Sequence, residues 1–250
     1  MTNYVPINNE IHKDKRWIRP TSLAFLANEV IAPLFADEVA EAMHAMPIAF
    51  IPHNDGFALV AVMGLKPGGN LLVSRDGRWQ SSYMPFVYRS RPFQLLDTNE
   101  KGDQQVLCID EACISADDDK GEPFFENGEI TDFIQKIFTQ EQRYKANRQL
   151  TTHISTILAE HDLIKPWNIV IDESSGDQQP LVGLYRVDEV ALNALSDEAF
   201  LALRQANALA VIYSHLLSLQ NINALSARLP AVEPLEDATS SRETFDFAGL

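Results

Sequence analysis

The chain is poor in the residues that build metal clusters, disulfide frameworks or membrane spans. It has two cysteines, Cys108 and Cys113, which stand five positions apart and outside any C-x-x-C pair. No apolar run approaches the roughly 20 residues that a membrane-spanning helix needs, since the best candidate, 201–219, is interrupted by Arg204 and His215. We therefore expect no membrane insertion, and we expect both cysteines to be small apolar packing residues.

Positive charge is also scarce. The 20 Lys and Arg residues stand against 35 Asp and Glu, which gives a formal net charge of −15. Such a surface repels phosphate backbones, so nucleic acid is not an expected partner. The first residues lack the basic start and apolar stretch of a secretory signal, and we expect a cytoplasmic protein.

Familiar catalytic signatures are missing as well. No G-x-S-x-G motif presents a serine at a strand-to-helix turn, and the glycine-rich stretch 64–69 lacks the Lys-Ser/Thr ending of a P-loop. The sequence gives no reason to expect a cofactor, and it leaves open whether the protein is an enzyme.

With 46% hydrophobic residues, the chain can bury a substantial core. We expect a single domain over 1–228 and a disordered acidic tail over 229–250, where Pro, Glu, Asp, Thr and Ser predominate. The end of that tail, 244–250, keeps two phenylalanines and could be either a short docking peptide or a frayed terminus.

Short apolar runs predict a mixed, mainly antiparallel sheet. Two of them, 47–52 and 57–65, flank His53-Asn54-Asp55-Gly56, whose Asp-Gly ending is a strong hairpin signal. Further strand pairs are predicted at 70–73 with 80–84, at 93–96 with 105–109, and at 167–171 with 180–187. These runs predict the β-strands of an α+β fold.

Helical spacing of apolar residues predicts the other part. It extends over 131–158, with possible breaks near Thr139 and Asn147, and over a last helix, 197–225. Asp188 and Ser196 are suitable N-caps for two closing helices. We expect these C-terminal helices to pack on the sheet.

The segment 63–93 concentrates aromatic residues and arginines, and it is our first candidate site. Its side chains offer stacking faces and forked donors for a peptide carboxylate or a small anion. The candidate ligand-binding residues are Arg78, Trp79, Tyr83, Tyr88, Arg89 and Arg91. Alternatively, Asp76-Gly77-Arg78 is a plain turn and Trp79 a packing aromatic. Pro85 and Pro92 predict a loop or a single helical turn between them.

Three further residues are secondary candidates. His215 shares a helix face with Ser218, which would suit a nucleophile pair, but a satisfied structural histidine beneath the sheet fits the same spacing. Asp110 and Glu111 end a strand, and we expect them to cap it or to pair with an arginine of the segment 75–91.

A metal site is a weaker alternative. His53-Asn54-Asp55 has the H-x-D spacing that begins a facial iron triad, with His153, His161 or His215 as a possible third ligand. The same residues also form an ordinary hairpin turn.

Several short motifs in series resemble the SapC-like family of bacteria. They are Gly64-Leu65, Asp76-Gly77-Arg78-Trp79, Tyr83-Met84-Pro85, Arg89 with Pro92-Phe93, Cys108-Ile109-Asp110-Glu111, Leu181 to Tyr185 with Val187-Asp188-Glu189, and Ile212 to Leu219. The family's arginine segment usually reads Arg-Arg-Tyr-Pro-Phe, whereas this chain has Arg89-Ser90-Arg91-Pro92-Phe93 and so retains Arg89.

The resemblance implies an accessory role. Members occur in bacteria that also encode TonB-dependent receptors and tryptophan-halogenase-like proteins, which suggests nutrient uptake or peptide modification. We therefore expect a binding protein with a peptide, small-molecule or protein partner. The alternatives are a modifying enzyme or enzyme partner, in which Arg89 anchors a carboxylate, and a surface-layer export or assembly factor, which the family name implies.

Overall fold

The computed structural model describes residues 3–99, 104–115, 120–172, 178–229 and 245–246. The chain divides into two compact units, each made of two stretches of sequence. The first unit comprises Met1–Ser22 and Phe86–Asn147, and the second comprises Leu23–Pro85 and Arg148–Leu250. The expected single domain over 1–228 stays a prediction, and most of the expected tail lies outside the described residues.

In chain order, the strands are β1 (Tyr4–Pro6), β2 (Arg16–Trp17), β3 (Ile31–Pro33), β4 (Ile48–His53), β5 (Gly56–Val62), β6 (Phe93–Asp97), β7 (Gln105–Asp110), β8 (Glu122–Pro123), β9 (Phe125–Glu126), β10 (Glu129–Ile130), β11 (Ile164–Pro166), β12 (Ile169–Asp172), β13 (Gln178–Val182), β14 (Tyr185–Val187) and β15 (Phe245–Asp246). The helices are α1 (Asn9–His12), α2 (Val39–Ala42), α3 (Phe86–Arg89), α4 (Asp132–Glu160), α5 (Glu189–Asn193), α6 (Asp197–Gln205), α7 (Ala208–Ser218) and α8 (Asn221–Ser226). Short 3-10 turns cover Ala24–Leu26, Ala36–Glu38 and Glu111–Cys113.

The first unit is built on an antiparallel sheet with the strand order β1-β7-β6. Two smaller antiparallel pairs, β2 with β8 and β9 with β10, accompany it. The core of this unit is one cluster of buried apolar side chains: Trp17, Phe93, Leu107, Ile109, Phe124 and Ile134. Trp17 and Phe93 meet edge to face, with ring centroids 4.9 Å apart.

The second unit holds a five-stranded antiparallel sheet with the order β11-β14-β4-β5-β3. Its central strands β4 and β5 are almost fully buried along Ile48–Ile51 and Leu59–Val62, which is why their sequences are near-continuous apolar runs. A smaller sheet has the order β12-β13-β15, in which β15 pairs parallel to β13. The predicted α+β fold with mainly antiparallel strands is confirmed.

Three predicted strand pairs are confirmed and one is wrong. β4 and β5 form the expected hairpin, with Asn54 in its turn at φ 50°. β6 and β7 form the second pair. β12 pairs antiparallel with β13, as predicted for 167–171 with 180–187. Between 70 and 84, however, only isolated bridges occur, Gly64 with Asn70 and Val73 with Trp79. The Asn70 side chain instead bonds to the backbone of Leu26 and Leu72, which holds the chain in a compact turn.

The expected last helix is three helices. Asn207 adopts a left-handed conformation at φ 59° and separates α6 from α7, and α8 follows after Gln220. The predicted N-caps are confirmed: Asp188 accepts from the backbone N–H groups of Val190 and Ala191, and Ser196 accepts from that of Ala199. None of the helices in the described residues is both long and apolar enough to cross a membrane.

Gly64 offers a direct test of how tightly the second unit is packed. A Cβ added there would lie 2.3 Å from the Gly69 carbonyl oxygen and 2.7 Å from Cγ1 of Val30. We expect Gly64→Ala to lower the free energy of unfolding by about 2 kcal/mol, because backbone must move to admit the methyl group. Urea denaturation measures the loss.

The matched control is Gly56→Ala, where an added Cβ meets nothing within 4 Å. We expect that variant to stay within about 0.5 kcal/mol of the parent, or to gain slightly from reduced chain entropy. Equal effects of the two substitutions would contradict the packing described for Gly64.

Candidate functional site

The six candidate residues of the segment 63–93 are divided between the two units. Arg78, Trp79 and Tyr83 belong to the second unit, whose first stretch of sequence ends at Pro85. The other three, Tyr88, Arg89 and Arg91, belong to the first. Each group is therefore described within its own unit.

In the second unit, Trp79 and Tyr83 are joined to each other and to a buried carboxylate. The Trp79 ring N–H donates to the Tyr83 carbonyl oxygen at 2.8 Å. The Tyr83 hydroxyl donates to Oε2 of Glu38 at 2.7 Å, and Glu38 is fully buried. The other oxygen of Glu38 accepts from the Phe35 backbone N–H at 2.8 Å. These contacts support the interpretation of Trp79 as a packing residue, and they give Tyr83 a structural role as well.

Glu38 is a residue that the sequence did not single out. Its neighbours Asp37 and Glu41 are exposed acids, so Glu38 reads as one more charge at the start of an amphipathic helix. The partner that explains its burial is Tyr83, 45 positions away.

Arg78 is exposed and engaged in its own turn. Its guanidinium lies 2.6 Å from the Asp76 carboxylate, which also accepts from the Ser74 hydroxyl. The Ser74 hydrogen bond, and then Arg78, lower the pKa of Asp76. Gly77, at φ 77°, completes the turn that Asp76-Gly77-Arg78 predicts.

In the first unit, α3 presents Arg89 on an aromatic stack. Arg89 is exposed, and its guanidinium carbon lies 4.8 Å from the centroid of the Phe86 ring. Phe86 in turn stacks on Tyr144 of α4, at 4.7 Å and 21°. Tyr144 is 7% exposed, so the stack is anchored in the long helix. Tyr88 is also buried and offers no open ring face.

Arg91 lies near the end of β7. Its charge and that of Asp110 both act on the Tyr4 hydroxyl and the Cys113 thiol. Burial first, then Asp110, raise the pKa of Cys113, and burial raises that of Cys108. Both thiols are thus disfavoured as nucleophiles, which agrees with a packing role.

Asp110 bonds to the local backbone, and Glu111 bonds to a side chain near the start of the chain. Asp110 caps the 3-10 turn by accepting from the Ala112 N–H at 3.2 Å. Glu111 accepts from the Asn3 side-chain amide at 2.6 Å. Asp110 therefore has the capping role that its position at a strand end predicts.

His215 bridges a helix to two strands and is fully buried. Nδ1 bonds to the Ile48 carbonyl oxygen of β4 at 2.9 Å, and Nε2 accepts from the Val187 N–H of β14 at 3.0 Å. Because an N–H donates to Nε2, the ring is the neutral tautomer that carries its proton on Nδ1. Ser218, one turn on, accepts from the Ile48 N–H at 2.9 Å. Both ring nitrogens are therefore used in holding α7 to the sheet.

His53 and Asp55 lie at the exposed tip of the β4–β5 hairpin. Across the parts of the chain that the structure describes, no group of three or more His, Cys, Asp or Glu side chains is placed to hold a metal ion. The described residues therefore do not form the iron triad that the H-x-D spacing would begin.

The sequence reasoning missed a cleft in the first unit, which we call the Trp17 cleft. It has a volume of about 630 Å³ and is lined by Trp17, Ile18, Arg19, Lys120, Gly121, Glu122 and Phe133. A signal for it exists: Lys15-Arg16-Trp17-Ile18-Arg19 places three cations around a tryptophan in an acidic chain.

Comparison with known proteins gives one match. The family model described as SapC matches residues 7–225, which is most of the chain. A search of curated proteins and a search of solved structures each find no match. The chain belongs to the SapC family.

Proposed function

We propose that this SapC protein is an accessory binding protein that recognises the carboxylate of a peptide or small anionic ligand through Arg89. The observation that carries the proposal is the stack on α3, in which an exposed guanidinium lies over Phe86 and Phe86 over Tyr144. The context that we propose, from the family resemblance, is nutrient uptake or peptide modification in the cytoplasm.

The stack prepares Arg89 for this role. A guanidinium over an aromatic face is attracted by the ring, which restricts its side-chain freedom before a ligand arrives. Its planar fork matches a carboxylate with two parallel hydrogen bonds. On a chain with a formal charge of −15, an exposed arginine also gives an approaching anion a local point of attraction.

The alternatives are a modifying enzyme, in which Arg89 anchors a carboxylate and His53 or His215 is the base or metal ligand, and a surface-layer export factor. A modifying enzyme with His215 as base or metal ligand would need a free ring nitrogen, and both are bonded to backbone groups in a fully buried position. No contact among the described residues favours a surface-layer export factor.

Arg89 variants test the proposal by calorimetry. The probes are N-acetylated tripeptides, each as a C-terminal acid and as the matching amide. We expect at least one acid to bind, and Arg89→Ala to weaken that binding at least about tenfold, since charge-assisted hydrogen bonds are lost. Arg89→Lys should fall between the two, because it keeps the charge and loses the fork.

Lys13→Ala is the matched control, since it removes an exposed positive charge from the same unit. It should leave the affinity unchanged, and neither variant should alter the free energy of unfolding by more than about 1 kcal/mol. If none of the acids binds, or if Arg89→Ala binds as the Lys13 variant does, the proposal is wrong.

A further inference from the structure

We infer that the Trp17 cleft is a second binding site, built from residues other than the Arg89 stack, and that it takes a carboxylate carrying an aromatic ring. Its volume of about 630 Å³ falls within the range of roughly 300 to 1,000 Å³ that small-molecule sites occupy. The inference does not depend on the function proposed for Arg89.

The apolar part of the cleft would hold the ring of the ligand. Phe133 is 38% exposed and stacks at 5.2 Å and 20° on Trp17, which is almost fully buried. Ile18, beside Trp17 in sequence, is 44% exposed and also lines the cleft. An aromatic ring placed against these side chains would cover apolar surface that now faces water.

The charged part of the cleft favours an anion. Arg19 lies with its guanidinium carbon 5.9 Å from the Phe133 ring centroid. Lys120 is a second cation among the lining residues. Glu122 is the one carboxylate among the lining residues that the structure describes.

Trp17 adds a donor that needs an acceptor. Its ring Nε1–H is buried and has no hydrogen-bond partner among the described residues. Buried polar groups are paired in the great majority of cases, so a buried donor without an acceptor calls for an explanation. Because Trp17 lines the cleft, a ligand carboxylate that reached this buried N–H would supply the bond that it lacks.

Trp17 itself can report on binding. The chain has three tryptophans, and labelling their indole nitrogens with ¹⁵N gives three N–H signals in the full-length protein. Trp79→Phe and Trp167→Phe assign two of them and leave the third to Trp17. The probes are 3-phenylpropanoate, its amide, and acetyl-Gly-Phe as acid and as amide, so that a free aromatic acid is distinguished from a peptide C-terminus.

We expect the Trp17 signal to shift to saturation with 3-phenylpropanoate, with the peptide acid, or with both. Each amide should bind at least about tenfold more weakly than its acid. Arg19→Gln should weaken the acids about tenfold, whereas Lys13→Gln should leave the titration unchanged. No shift with any acid up to about 10 mM, a range that covers weak small-molecule sites, would overturn the inference. So would an Arg19 variant that binds as the Lys13 variant does.

Discussion

Replacing His215 by leucine is expected to lower the free energy of unfolding by about 4 kcal/mol. The imidazole satisfies the Ile48 carbonyl oxygen and the Val187 N–H, and leucine can satisfy neither. Each buried backbone group left without a partner costs about 1 to 3 kcal/mol. β14 and β4 share a single paired position, Tyr185 with Phe50, so the histidine is a substantial part of what joins these strands.

Urea denaturation at pH 7 measures this loss, and Leu217→Ala is the control. Leu217 lies on the same helix but is 58% exposed, so its truncation should change stability by no more than about 0.5 kcal/mol. A His215 variant as stable as the Leu217 variant would contradict the bridging role.

The pH dependence separates His215 from a merely bulky core residue. Burial, and then the nearby charge of Arg186, lower its pKa to about 4, against the opposing bond to Ile48, whereas an unfolded histidine titrates near 6.5. The unfolded chain therefore binds more protons between these values, and stability falls as the pH falls through them. The advantage of the parent over His215→Leu should shrink by about 3 kcal/mol between pH 7 and pH 4.

Replacing Glu38 by leucine should cost about 3 to 5 kcal/mol of unfolding free energy. The carboxylate accepts from the Tyr83 hydroxyl and from the Phe35 N–H in a fully buried position. Each buried donor left without its acceptor costs about 1 to 3 kcal/mol, and the substitution leaves two donors without this acceptor.

Tyr83→Phe removes only the hydroxyl, so its smaller cost serves as the comparison. Because the two residues share one hydrogen bond, the double variant Glu38→Leu/Tyr83→Phe should lose less stability than the sum of the single variants. Thermal or urea unfolding of the four proteins gives the coupling. Additive losses would show that the Tyr83–Glu38 contact contributes nothing to the stability of the second unit.

The sequence predicted β4 to β7, β12 to β14 and the long helix because their apolar spacing is local information. It predicted possible breaks in α4 near Thr139 and Asn147, and these are wrong. Both side chains bond to the carbonyl four residues earlier, Thr139 to Gln135 and Asn147 to Arg143, so they follow the helix without interrupting it.

In the predicted helix 197–225, by contrast, the sequence failed to indicate a break that the structure contains. Apolar spacing continues across Asn207, so the pattern predicted one helix, although a single left-handed residue there is enough to end α6. Periodicity reports which faces are apolar and does not report one residue's backbone conformation.

The candidate site was predictable only in part. The density of aromatic residues and arginines in 63–93 made Arg89 a candidate, which stays a prediction, whereas Trp79 and Tyr83 are explained by contacts within the second unit. Glu38 and Tyr83 lie far apart in sequence, and Phe86 and Tyr144 likewise meet only through the fold. Such distant pairs leave no spacing pattern that a single sequence can reveal.

The most direct test of the central claim, that Arg89 recognises a carboxylate, is the ratio of affinities for the acid and amide forms of one bound tripeptide. The parent protein should bind the acid at least about tenfold more tightly than the amide, and Arg89→Ala should bind the two forms with about equal affinity. A parent that binds acid and amide equally, or a preference that survives in Arg89→Ala, would contradict it.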